Sequence, residues 1–261
     1  MFGFLKHDDL IIACLTRSEV GLVRAENQDA VFVDEARTVF CVADGMGGGS
    51  EGATASRFVC EAIEKVLRQR KGVTATLQTR VQSVDQAITE VNARVLDYAR
   101  ERKFRQMGST IAVLLVDPQH TDQAAIAHVG DSRIYRVRHG SAELLTKDHT
   151  IGGQLGDITS GAQSAGFKSR ANPLAHVLTR AIGVEEAVKP DWRKIDIRRG
   201  DGFLVCSDGV HDVIPDSLIG EIMTVSADLA EASRRLSDEI VRCGAPDNYT
   251  YVMIEVKGGT K

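Results

Sequence analysis

Five aspartates carry the chemistry that this sequence offers. Asp44-Gly45 follows the apolar run Val39-Phe40-Cys41-Val42-Ala43, and Asp208-Gly209 follows Phe203-Leu204-Val205-Cys206. Asp131 follows Ala125–Gly130, Asp247-Asn248 precedes Tyr249–Val256, and Asp29 leads into Ala30–Val33. A single Asp-Gly pair is ordinarily a turn, and Asp201-Gly202 is read that way. Turns do not need carboxylates, however, and apolar strands that deliver acids to their ends collect negative charge at one rim. Like charges a few ångströms apart destabilise a fold unless something neutralises them. A pair of divalent cations would do so. Carboxylate oxygens suit Mg²⁺ or Mn²⁺, and no Cys/His pair has zinc spacing. Two such ions about 3.5–4 Å apart can bind a phosphate and lower the pKa of a water they share. Phosphate monoesters are among the slowest bonds to hydrolyse, so that much concentrated charge suits them.

The run Gly45-Met46-Gly47-Gly48-Gly49 extends the first acidic turn, Asp44-Gly45. Glycines let the backbone approach closely, so a carbonyl there could reach a cation. A rival motif overlaps it: Gly47-x-Gly49-x-x-Gly52 matches the dinucleotide fingerprint after a strand and before a helix. That reading needs a second strand ending in an acid about 20 residues on. Two helical segments follow instead, which argues against it.

The elements that must position these acids are short strands. Leu10–Thr16, Ala30–Val33, Thr38–Ala43, Ile111–Val116, Ala124–Val129, Ile134–Val137, Phe203–Cys206 and Tyr249–Val256 are rich in Val, Ile and aromatics and bounded by Gly or Asp. Ala124–Val137 reads as a hairpin around Gly130-Asp131-Ser132. In the last strand Tyr249, Tyr251, Met253 and Glu255 oppose Thr250, Val252, Ile254 and Val256. Helical stripes run through Phe58–Leu67 and then through Leu77, Val81, Val84, Ile88, Val91, Val95 and Tyr98, spaced to form one apolar face. Further helix is expected over 217–223 and 229–241. Paired strands, two helices, paired strands, helices and a final strand argue for antiparallel sheets with helices on their outer faces.

Bulk properties set limits. The 261 residues are 43% apolar and 26% charged, with a net charge of −4. There is no basic field to attract nucleic acid or anionic lipid, and no apolar run approaches the roughly 18 residues of a membrane span. Five cysteines without C-x-x-C spacing suggest a reducing compartment. A single domain over 1–261, monomeric and cytoplasmic, is expected.

Seven segments together resemble the protein phosphatase 2C (PPM) family in its compact bacterial form: Gly21–Asp29, Val42–Gly48, Gly108-Ser109-Thr110, Val129–Arg133, Leu178–Gly183, Cys206–Gly209 and Asp247–Thr250. They occur in family order and span nearly the whole chain. The resemblance implies a four-layer α/β/β/α sandwich, an α+β fold of two antiparallel sheets flanked by helices. It implies a phosphoserine/phosphothreonine phosphatase that uses a water bridging two Mn²⁺ or Mg²⁺ ions. A catalytically weak or inactive phosphoprotein-binding regulator on the same fold is the alternative. A cysteine-based phosphatase is excluded, because no cysteine has an arginine six residues later.

By the same resemblance, Asp44 would bridge both cations, with the Gly45 carbonyl on one of them. Asp208 and Asp247 would complete the other, and Asp131 with Asp208 would form a weaker third site. Asp29 would hold metal-bound waters, and Arg24 would grip the substrate phosphate, a task suited to a planar guanidinium. The expected partners are phosphorylated proteins, a Ser/Thr kinase and its substrates among them. The segment from about 150 to 169 would be a flap beside the cleft. Met46 stands where many eukaryotic members carry a general-acid histidine. The leaving-group proton is then left to a metal-bound water or to His149. Gln28 replaces a common glutamate.

Overall fold

Strand periodicity decides how this chain layers. In the strand Val39–Gly47, Phe40 and Val42 point one way while Val39, Cys41 and Ala43 point the other, and all five are fully buried. A strand apolar on both faces must sit inside a stack, with another layer above and below. The computed structural model describes residues 5–7, 10–68, 76–158 and 173–258.

The strands are β1 (Leu5–His7), β2 (Leu10–Glu19), β3 (Asp29–Val33), β4 (Val39–Gly47), β5 (Met107–Ser109), β6 (Ile111–Val116), β7 (Gln123–Val129), β8 (Arg133–Arg138), β9 (Ser141–Leu144), β10 (Asp191–Asp196), β11 (Gly202–Cys206) and β12 (Tyr249–Gly258). One antiparallel sheet has the order β1-β2-β12-β11-β8-β9; the other runs β10-β7-β6-β4-β3, with β5 paired to β4. The helices are α1 (Glu51–Arg68), α2 (Leu77–Arg102), α3 (Ile151–Ile158), α4 (Asp208–His211), α5 (Asp216–Val225) and α6 (Leu229–Arg242), with a 3₁₀ turn at Pro173–His176.

Three apolar clusters define four layers. Phe40, Val42, Leu114 and Ile126 of one sheet meet Ile134, Phe203, Val252 and Ile254 of the other. On the outer face of the second sheet, Val39, Cys41 and Val113 pack against Val59 and Ile63 of α1 and Val84, Ile88 and Val95 of α2. On the outer face of the first, Tyr135, Leu204, Tyr251 and Met253 pack against Ile219 of α5 and Leu236 and Ile240 of α6. The α/β/β/α sandwich is therefore present. The long α2 stripe lies on a sheet, and β12 alternates between faces as its sequence requires.

Two expectations are corrected. Ala124–Val137 is not a hairpin. β7 belongs to one sheet and β8 to the other, so the chain crosses between sheets at Gly130-Asp131-Ser132. The crossing demands a glycine: Gly130 has φ +99°, and a Cβ there would lie 2.6 Å from the Thr110 side chain. Nor does Asp44-Gly45 make a turn. β4 continues through it to pair Gly45 with Ser109 and Gly47 with Met107. Gly45 is needed for close approach, since a Cβ would meet the Gly52 carbonyl oxygen at 2.0 Å. Of the supposed flap, Thr150 bridges Leu178 and 151–158 are helical; residues 159–169 lie outside the described residues.

Asp201 closes a turn from Arg198 and Gly202 opens β11, at the end of that strand away from Asp208. Asp201 is nevertheless buried and takes a two-point ion pair from Arg138, at 2.6 and 2.7 Å. Removing one partner of such a pair strands a buried charge. Arg138→Ala is expected to cost roughly 3–5 kcal/mol in urea unfolding, and Asp201→Asn to recover part of that loss in the double variant.

Candidate active site

Antiparallel pairing brings the acids to one end of the sandwich. Asp29 and Asp44 sit directly opposite one another across β3 and β4, a pairing of like charges that disfavours the sheet. In the other sheet β11 and β12 are neighbours, with Cys206 opposite Tyr251. The end of β11 therefore delivers Asp208 beside Asp247, which stands just before β12. Asp131 enters from the crossing between sheets. Arg24, Asp44, Gly45, Asp131, Asp208 and Asp247 line a single open cleft of about 480 Å³.

Neutral hydrogen bonds fix the frame. The Asp44 amide donates to Thr110 Oγ1 (3.0 Å), whose hydroxyl also meets Ser132 Oγ (2.6 Å), tying the Asp44 and Asp131 segments together. Ser207 Oγ donates to Asp29 Oδ2 (2.7 Å) and accepts from the Thr250 amide (3.0 Å). Asn248 Nδ2 donates to the Val20 and Glu26 carbonyls, while its Oδ1 accepts from the Gln28 amide at 2.9 Å. The Arg24 loop is thereby stitched to the start of β12. Arg24 itself donates to Asp247 Oδ2 at 2.6 Å from the exposed rim. Thr110, Ser132, Ser207 and Asn248 are supporting residues to which the sequence assigned no role. Their only signal was membership of the matching segments.

The electrostatics of the cleft are those of a cation site. Burial, then the carboxylates of Asp208, Asp29 and Asp131, hold Asp44 well above the usual carboxylate range. Burial and neighbouring acids push Asp208 and Asp131 up to about 7. Burial pushes Asp29 up to about 6 against the Ser207 hydrogen bond. Among the described residues Asp29 Oδ1 is buried without a hydrogen-bond partner. An all-oxygen donor set with converging charge and an unsatisfied buried oxygen fits hard divalent cations.

His149 is not part of the cleft lining. The Gly130 amide donates to its Nδ1 (3.1 Å), so the ring proton resides on Nε2, where it faces Asp191 Oδ2 (3.1 Å). Burial lowers its pKa and keeps it neutral. His128, His149 and Asp191 have ligating atoms within 4.8 Å of one another. That group already holds a cation, the Arg180 guanidinium, which donates to Asp191 Oδ1 at 2.6 Å and lies 3.1 Å from His149 Nε2. Among the described residues the histidine that lines the cleft is His176, with Nδ1 3.3 Å from Asp212 Oδ2. Nothing in its spacing marked it, because it stands just outside the Leu178–Gly183 segment.

Comparisons with known proteins show the family and the fold. A family profile described as Protein phosphatase 2C matches residues 23–246. The chain belongs to the protein phosphatase 2C family. The serine/threonine protein phosphatase PstP of Mycobacterium tuberculosis is 32% identical over 249 residues, covering 95% of this chain and 45% of that protein. The chain thus spans less than half the length of that relative. Among solved structures, PppA, described as a key regulatory component of T6SS in Pseudomonas aeruginosa, matches with a TM-score of 0.81 at 29% identity, covering 97% of this chain and all of that one. The catalytic domain of PstP in complex with two manganese ions matches with a TM-score of 0.78 at 30% identity, covering 95% and 99%. No described helix of this phosphatase 2C chain is long and apolar enough to cross a membrane.

Acids whose folded pKa lies above the ordinary 3.8 hold protons that the unfolded chain has released. Their contribution to stability is full below about pH 4 and is lost as pH rises through about 7. With chelator present, thermal unfolding is expected to show the protein losing stability across that window. Asp44→Asn should lessen the loss and exceed the wild type at about pH 8. Added Mn²⁺ should raise the melting temperature of the wild type much more than that of the variant.

Proposed function

We propose that this protein is a divalent-metal-dependent protein serine/threonine phosphatase whose single catalytic domain spans 1–261. The observation that carries the reading is the convergence of Asp44, Asp208, Asp247 and Asp131 from separate parts of the chain into one cleft with Arg24 on its rim. Asp44 would be shared between two cations, the Gly45 carbonyl would serve one, and Asp208 with Asp247 the other. Asp131 and Asp208 would hold a weaker third cation. Mn²⁺ or Mg²⁺ bound there supplies neutralisation of the phosphate charge and acidification of a shared water.

The remaining work falls to the chain itself. Arg24, released from Asp247, donates both guanidinium edges to the phosphate oxygens and orients the ester. Asp29, anchored through Ser207, has a buried oxygen without a partner among the described residues, which would order water. The departing serine or threonine oxygen needs a proton, and His176 Nε2 is the imidazole nitrogen the cleft provides, with Nδ1 directed at Asp212. Phosphorylated proteins are the substrates, including a Ser/Thr kinase and its targets. The same constellation argues against an inactive regulator, in which Asp44, Asp208 or Asp247 would be replaced.

Hydrolysis of p-nitrophenyl phosphate and of a phosphothreonine peptide is expected with Mn²⁺ and to cease with EDTA. Asp44→Ala or Asp208→Ala should reduce kcat by about a hundredfold or more, the range for losing a preorganised electrostatic group. Arg24→Ala removes a charge-assisted contact of about 1.5–3 kcal/mol, so kcat/KM should fall roughly ten- to hundredfold. His176→Ala should slow the peptide, whose alkoxide leaving group needs a proton, much more than the aryl phosphate. Full turnover in EDTA refutes the assignment.

A further inference from the structure

The turn that carries Asp131 has the Asp131 carbonyl 3.0 Å from His211 Nε2 and is gripped from two further sides. On one side Thr110 holds Ser132 and, through the same hydroxyl, the Asp44 amide. On the other side the grip is His149. Its backbone amide donates to the Gly130 carbonyl (3.0 Å), and the Gly130 amide donates back to the ring at Nδ1 (3.1 Å). One residue thus satisfies both backbone groups of the glycine at which the chain passes between sheets. Gly130 has the positive φ that sets where the next residue points, and the next residue is Asp131.

The ring making this clasp has little freedom. It is buried and stacks on His128 at 4.5 Å with 20° between the planes. Its far nitrogen faces Asp191, which Arg180 holds in turn. His128 is pinned by its own contact between Nε2 and the Lys147 carbonyl at 2.7 Å. The Thr179 amide donates to the His149 carbonyl at 2.8 Å. The neighbouring ion pair of Arg133 with Asp148, at 2.9 and 2.6 Å, locks the residue that leaves the crossing to the residue before His149. A chain of contacts from Arg180 therefore ends at the backbone of Gly130, the residue before a cleft aspartate, while the imidazole itself stays outside the cleft.

We propose that His149 is a positioning residue that fixes the Gly130–Asp131 backbone and so aims Asp131 at the weaker cation site. This rests on the reading of Asp131 as a ligand given above. Without the ring, the Gly130 amide is left without its acceptor, and the turn is free to shift about its remaining contacts to Thr110 and His211. Asp131 then no longer meets Asp208 at a fixed separation. Asp44 and Asp247 are held by other bonds, so the tighter sites are untouched. Groups that orient metal ligands typically change affinity by about 10–100-fold when removed.

Calorimetric titration of the metal-free full chain with Mn²⁺ tests this, because it counts sites independently of turnover. Asp131→Ala is expected to abolish the weaker site. His149→Ala should weaken that site by about tenfold or more and leave the tighter sites within about twofold. His149→Asn, whose Oδ1 can replace Nδ1 as acceptor for Gly130, should restore most of the loss. Asp191→Asn frees the ring without removing buried volume and should weaken the same site several-fold; it decides the matter if His149→Ala does not fold. An unchanged weaker site in His149→Ala, or in Asp191→Asn where that variant decides, overturns the proposal if Asp131→Ala loses the site. So does equal weakening of every site. If Asp131→Ala keeps every site, the ligand reading itself is wrong and the proposal falls with it.

Discussion

Carboxylates repel one another, and this fold forces five of them to one end of two stacked sheets. Asp29 faces Asp44 across a strand pair, Asp208 and Asp247 stand at adjoining ends of β11 and β12, and Asp131 is delivered by the passage between sheets. Burial first, and the neighbouring carboxylates with it, raise the pKa of Asp44, Asp208 and Asp131 above the ordinary carboxylate range. Such a concentration of carboxylates is offset by stability stored elsewhere. Here three apolar clusters, one between the sheets and one under each helical layer, carry it. The site is unfavourable by itself and is held in place by what surrounds it.

Neutral donors do the holding. Thr110, Ser132, Ser207 and Asn248 are small, uncharged and tied to backbone or to one another. They fix the acids' backbones and satisfy few of the acids' own oxygens. A lysine or arginine in their places would have relieved the repulsion and removed the reason for a cation to bind. Among the described residues Arg24 is the cleft's cationic side chain. It is exposed on the rim, where exchanging one carboxylate for a phosphate costs little desolvation. The Arg180–Asp191–His149 array lies just behind the cleft and uses its charge internally.

Much of this was legible in the residues. The acids were visible because each adjoins an apolar run, and a strand's rigid rise places such a residue at a predictable end. The layering was visible because β12 and α2 carry unambiguous periods of 2 and 3.6. His149 was legible as a residue of interest and misleading as to role. A histidine beside an aspartate looks the same in sequence whether its nitrogens face solvent or a glycine amide, and only burial and the Gly130 bond separate the two. His176 carried no signal at all, since its relation to the cleft is made by a long-range return of the chain. The supposed hairpin at Gly130–Ser132 failed for a related reason: a three-residue polar break reads alike whether it reverses one sheet or joins two.

The sequence by itself determined which segments become strands and helices, and that several strands end in hard oxygen donors. Those are properties of local pattern and side-chain chemistry, complete within a few residues. Tertiary structure alone decided that β4 runs on through Asp44, that β7 and β8 part company, and that the His149 ring meets the Gly130 amide and lies outside the cleft lining. Each of these depends on partners 19 to more than 60 residues away. Only the closed stack of sheets determines which of them meet.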